Sequence, residues 1–103
     1  MTTAEVLFHE IAAALPDTKE GKMFGALCIK APNGKAGVMF WKDLMVFKLK
    51  EADMQEVLSL DGTQVFTPMD NRPMKGWVQV PYHYAHQWAE YAAKAMELVK
   101  TLK

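Results

Sequence analysis

The chain has 103 residues, half of them hydrophobic, which suits one compact core and excludes a two-domain arrangement. Twelve Lys plus Arg balance twelve Asp plus Glu, so the formal charge is zero, whereas a dedicated nucleic-acid binder carries a clear basic excess. Cys28 is the single cysteine and excludes an intramolecular disulfide.

From the N-terminus, Thr2 and Glu5 have the spacing of a capping box, in which each side chain satisfies the other's free backbone donor. The helix that follows places Leu7, Ile11 and Ala14 on one face, flanked by Phe8 and Leu15, and Pro16–Asp17 ends it. His9 lies at the edge of this stripe and reads as a boundary residue. The segment 17–22 reads as a polar turn.

The run from Lys22 to Lys50 reads as three strands joined by two tight turns. In the first, from Phe24 to Lys30, Phe24, Ala26 and Cys28 share one face and Leu27 and Ile29 the other. Asn33–Gly34 is a strong hairpin signal, because both residues tolerate positive φ. The second strand, Ala36 to Trp41, opposes Val38 and Phe40 to Met39 and Trp41. Lys42–Asp43 turns the chain again. In Leu44 to Lys50, Met45, Phe47 and Leu49 face the core, and Lys48 faces out.

Glu51 to Leu60 carries Met54, Val57 and Leu58 in a short apolar row. Its early acids suit the positive end of a helix macrodipole. Asp61–Gly62 stops it, Gln64 to Thr67 is a short candidate strand, and 67–73 is a turn-rich connection. Met74 to Val80 is another strand, with Gly76, Val78 and Val80 opposed to Lys75, Trp77 and Gln79. Pro81 breaks the ladder and opens a final helix, Tyr82 to Leu102. Its seam of Ala85, Trp88, Ala92, Ala95, Met96, Val99 and Leu102 is core-facing, and Glu90 and Lys94 have the spacing of an exposed i,i+4 pair. This order predicts an α+β domain spanning 1–103: an antiparallel sheet of about five strands, an N-terminal helix, a short middle helix and a long C-terminal helix.

Charge is unevenly placed. Seven lysines between Lys19 and Lys50 meet only Glu20 and Asp43, whereas Glu51 to Asp70 holds five acids and no base. A dipolar solvated surface is the plain reading, and a basic sheet face opposed to an acidic helix the sharper one. Arg72 is the sole arginine, so a multi-arginine phosphate clamp is excluded.

Chemistry is sparse. Cys28 sits mid-strand in an apolar run with no base near it in sequence, which suits a buried small hydrophobe. His83 and His86 share a helix face and need a further ligand to hold a metal. Gly25, Gly34 and Gly37 fit neither GxxxxGK nor GxGxxG, and paired carboxylates are missing from the strand ends. These features predict a non-enzymatic protein without cofactor or metal. The candidate binding residues are Trp77, Lys75 and Gln79, joined across the sheet by Lys48 and Lys30: if that side faces water, an aromatic flanked by cations has the composition of a contact patch. The alternative is that Trp77 packs under the 67–73 connection or the chain's own helix, since large aromatics on small sheets are normally covered.

Lys22-Met23-Phe24-Gly25, the hairpin with Asn33-Gly34-Lys35 and the strand Leu44 to Lys50 resemble the N-terminal domain of the competence regulator TfoX. Met74-Lys75-Gly76-Trp77, the Val80-Pro81-Tyr82 junction and the helix containing Trp88 extend the resemblance over nearly the whole chain. It implies a compact α+β fold related to the YjbR group of small bacterial proteins, and a regulatory role, with no catalytic residues to carry over. The expectation is therefore a cytoplasmic regulatory or protein-binding module whose partner is a protein, a second copy of itself included. The alternatives are a DNA-associated transcription or competence regulator using the Lys30, Lys48, Lys50 and Lys75 side, and a small-ligand binder or enzyme using Cys28, His83 or His86. The N-terminus lacks a basic leader, and no apolar run reaches the length of a membrane span, so neither secretion nor a membrane partner is expected.

Overall fold

A computed structural model describes residues 2–23, 25–67 and 76–101. Phe24, Met74, Lys75 and Leu102, each placed in an element above, lie outside the described residues. The order is α1 (Thr3–Ala14), β1 (Lys19–Met23), β2 (Ala26–Lys30), β3 (Ala36–Trp41), β4 (Leu44–Lys48), α2 (Glu51–Leu58), β5 (Gln64–Val65), β6 (Trp77–Val80), a 3-10 turn (Tyr82–Tyr84) and α3 (Ala85–Lys100). The strands form one antiparallel sheet in the order β1-β2-β3-β4-β6-β5.

The sheet thus has six strands, and the additional one is β1, which occupies the expected polar turn. Its sequence, Lys-Glu-Gly-Lys-Met, has no hydrophobic alternation to announce a strand. Pairing with β2 makes it one, with Gly21 opposite Cys28 and Lys19 opposite Lys30. Other elements are shorter than expected: β2 begins only at Ala26 and β5 ends at Val65. β4 stops at Lys48, because Lys50 already serves as the N-cap of α2, and α2 itself ends at Leu58. The last helix opens with a 3-10 turn, in which Tyr84 N–H bonds to Pro81 O at 3.0 Å.

The helices cover one face of the sheet. Phe8 of α1, Met54 and Val57 of α2, and Trp88, Ala92, Ala95 and Val99 of α3 meet Ile29, Val38, Met45, Phe47, Val78 and Val80 in the main core. Period-two alternation sends these strand residues to the same side. Full burial of a side chain such as Phe8 or Phe47 contributes about 1.5–3 kcal/mol. The stripe of α1 centres on Phe8, with Ala4, Ile11 and Ala12 buried, whereas Ala14 is exposed. Thr2 accepts from Glu5 N–H at 3.1 Å and donates its hydroxyl to Asp43 Oδ1 at 2.8 Å, tying the start of α1 to the β3–β4 turn. Lys94 reaches Asp53 of α2 at 3.9 Å rather than Glu90 on its own helix.

Helix α3 crosses the sheet closely at Gly37, which the β2–β3 register skips as Ile29 pairs with Val38 and Lys30 with Ala36. A Cβ at Gly37 would stand 2.9 Å from Met96 Sδ and 3.0 Å from the Ala95 carbonyl, so glycine is required by the approach of the helix. In the β2–β3 hairpin only Gly34 takes positive φ, and Asn33 instead donates to the Val99 carbonyl at 2.9 Å. The β3–β4 hairpin turns through two non-glycine residues at positive φ, Lys42 at 49° and Asp43 at 65°.

Candidate binding face on the open side of the sheet

The face turned away from the helices is also largely apolar. Ala26, Cys28, Met39, Val46, Phe66 and Trp77 form a second buried cluster, with Ala36 and Trp41 packed against it. Trp41 meets Phe66 edge-on, with centroids 5.7 Å apart. Strands buried on both faces read as nearly continuous hydrophobic runs, and Gly37 to Trp41 and Leu44 to Phe47 are such runs.

Trp77 is a member of this cluster and only 7% exposed. Of the two readings of this strand side, an indole open to water or one that is covered, the covered one holds: Trp77 shares the side of the strand with Gln79 as alternation predicts, and it is buried. Lys48 lies opposite it in the β4–β6 ladder and carries its ammonium 5.8 Å from the indole centroid. This cation–π contact lays the lysine stem along the ring and leaves a half-buried charge at the surface. Gln79 is half-buried between Val46 and Gln64. Lys75 lies outside the described residues. Lys42, at the β3–β4 turn, sits over Trp41 at 5.6 Å in a second contact of the same kind.

Lys30 lies on this face too, at the β2 end of the sheet. Lys19 is directly opposite it on β1, so two like charges face one another across a ladder. Such pairs are unfavourable unless an anion bridges them. The Lys30 stem runs over Gly21, where a Cβ would stand 3.2 Å from Lys30 Cε, so the missing side chain leaves it room to lie flat. Beside it opens a cleft of 550 Å³ lined by Lys19, Gly21, Lys30, Pro32 and Gly34, with Asp17 and Glu20 among its walls. Glu20 lies on the helical side of β1, where its Oε1 is 2.7 Å from His9 Nδ1 and Glu5 flanks the same ring at 3.5 Å. Among the described residues, Lys19, Lys30 and Lys48 make no ion pair. Lys50 is set apart from them, at the α2 N-cap beside Asp53 and Lys94.

The sequence reading missed Lys19, because it placed the residue in a turn, and Phe66 and Trp41 as the lining of the second cluster. The signal for Trp41 was present in the unbroken apolar run that ends β3. Phe66 follows a two-residue strand, too short for any periodicity to reveal.

Cys28 is fully buried in the second cluster, and burial pushes its thiol above the ordinary 9.0, with Lys30 and the Gly21 backbone partly opposing the shift. All three histidines belong to the helical side: His9 on α1, His83 in the 3-10 turn, where it stacks edge-on with Tyr84 at 4.9 Å, and His86 on α3 beside Gln87. The sheet therefore separates Cys28 from these imidazoles. No group of three metal-ligating side chains occurs among the described residues. A second cleft, 520 Å³, lies on the helical side between Leu49, Met54, Leu58 and Val65, with Glu51 and Gln55 among its walls. No helix among the described residues is long and apolar enough to cross a membrane. No protein-family model, curated protein or solved structure matches the chain.

Proposed function

We propose that this chain is a non-enzymatic, cytoplasmic regulatory module of the TfoX N-terminal type, which binds an acidic surface of a partner protein through the open face of its sheet. The observation that carries this reading is the opposition of Lys19 to Lys30 across the β1–β2 ladder, on the same face as Lys48 and opposite the acidic helix α2. A bound carboxylate cluster would relieve the repulsion between the two ammonium groups and meet the third at the far side of the face. The Trp77 indole beneath Lys48 and the Gly21 backbone beneath Lys30 support these two stems and so lower the ordering cost of binding.

The second reading is an acidic partner of another kind, DNA. It is favoured by the pairing of lysine with tryptophan at Lys42–Trp41 and Lys48–Trp77, because cations beside aromatic rings suit a phosphate backbone and its bases. Trp77 is covered and Trp41 half-buried, which leaves little ring face for stacking and ranks this reading second.

The test is titration of the protein with a glutamate-rich peptide and, separately, with a DNA duplex at low salt. Wild type binding the peptide, with Lys30→Glu/Lys48→Glu losing it, supports the first reading. Duplex binding that falls steeply with salt supports the second. Binding to neither probe contradicts both.

A further inference from the structure

The two edges of the sheet are unlike. At one end β5 is only two residues long, which protects it from pairing. At the other end β1 runs for five residues, and among the described residues nothing pairs with its outer side. A row of lysines would blunt such an edge against other chains. Here the row is Lys19-Glu20-Gly21-Lys22, and its charges have a symmetry that matters.

We infer that β1 pairs antiparallel with β1 of a second copy about a two-fold axis through Gly21, giving a homodimer with a continuous twelve-stranded sheet. In this register Gly21 faces Gly21 of the second copy, and Glu20 faces Lys22, twice by symmetry. An isologous interface must be self-complementary, and an acid and a base equidistant from a central glycine meet that requirement. Gly21 also removes the side chains that would crowd the axis. Glu20 and Lys22 lie on the helix-covered face, opposite Ile29 and Leu27 of β2, so both ion pairs form on one side of the joined sheet.

A second observation points to the same place. Val6 is one of the two large hydrophobic side chains exposed among the described residues, at 41%. It lies on α1 on the same flank as His9, three residues away, and His9 Nδ1 contacts Glu20 of β1. Ala13, one turn beyond His9, is exposed as well. A two-fold axis through Gly21 brings this flank of α1 toward its counterpart in the second copy, where Val6 and Ala13 would pack. A five-residue ladder and one helix flank fall at the low end of interface sizes, so the dimer is a concentration-dependent equilibrium. The inference does not depend on what binds the lysine face.

Sedimentation velocity from about 10 μM to about 1 mM tests it, since this range spans the weak affinities of small interfaces. Wild type should shift from a mass of 11.6 kDa toward twice that value with concentration. Glu20→Lys alone and Lys22→Glu alone should each remain monomeric, because each sets like charges face to face. The double variant Glu20→Lys/Lys22→Glu restores both pairs and should dimerise again, with circular dichroism confirming the fold of every variant. A wild type that stays monomeric at the highest concentration overturns the inference. So does a dimer indifferent to the single variants, or a loss that the double variant does not repair.

Discussion

Lys19 and Lys30 stand directly opposite one another on the open face of the sheet, with no ion-pair partner among the described residues. This arrangement costs folding free energy and favours an acidic ligand, so stability and binding should move in opposite directions on substitution. Lys19→Glu converts a like-charge pair into an opposite-charge pair and should stabilise the fold by about 0.2–1 kcal/mol in urea denaturation at low salt. The same variant should bind the glutamate-rich peptide more weakly than wild type. A variant that is both less stable and unchanged in binding would contradict the assignment.

Trp77 is part of the second cluster, and its substitution should report on folding. Trp77→Ala removes a buried indole from between Lys48 and its apolar neighbours and should cost about 3–5 kcal/mol, measured as a lower urea midpoint. A cost under about 0.5 kcal/mol, the scale of an exposed surface change, would mean that the ring is not packed as described.

Period-two patterning made the two faces of β2, β3, β4 and β6 legible, and it placed Met45, Phe47 and Leu49 in the main core correctly. It could not show what lies over the other face. Alternation assigns Trp77 a side, whereas its cover depends on residues distant in sequence, such as Phe66. Strand β1 was illegible for a related reason: its identity rests on hydrogen bonding to β2, and its polar residues carry no period. The α1 stripe was displaced because Ala14 fits the helical spacing, while Phe8, the larger side chain, sets which flank is buried. The lysine excess from Lys19 to Lys50 was readable as a charge run, but which of these lysines share a face, and the opposition of Lys19 to Lys30, needed the strand register.

Gly37 marks the closest approach of α3 to the sheet. Gly37→Ala should destabilise the fold by about 1–3 kcal/mol, because the new methyl meets the Ala95 carbonyl and Val99 as well as the more adaptable Met96 side chain. Thermal unfolding checks this, and a melting temperature equal to wild type would show that α3 does not cross the strand so tightly.

The β3–β4 turn offers a stabilising change. Lys42 and Asp43 both hold positive φ, which asparagine and glycine adopt more readily. Lys42→Asn should raise stability by about 0.4–1 kcal/mol. Asp43→Gly should gain less, because it removes the acceptor of the Thr2 hydroxyl bond at the start of α1. If Asp43→Gly proved the more stabilising of the two, that hydroxyl bond would carry no weight.

Cys28 and Tyr91 are both raised by burial from their ordinary values of 9.0 and 10.0. For each, folding favours the protonated form, so the stability contributed is fully present below the unfolded value and is lost as pH rises through the folded value. Stability should therefore be insensitive to these groups near pH 7 and should decline from about pH 9 upward. Cys28 should also react slowly with a thiol reagent in the native protein and at the rate of a free thiol in urea. Fast native labelling at pH 8 would show an open route to the second cluster.

The central claim is that the lysine-bearing open face is the contact surface. Mapping of amide chemical shifts in the 15N-labelled protein during titration with the glutamate-rich peptide tests it most directly. The shifts should concentrate on Lys19, Gly21, Lys30, Lys48 and Gln79. Shifts confined to Met54, Gln55 and Leu58 around the helical-side cleft, or no shifts at all, would contradict it.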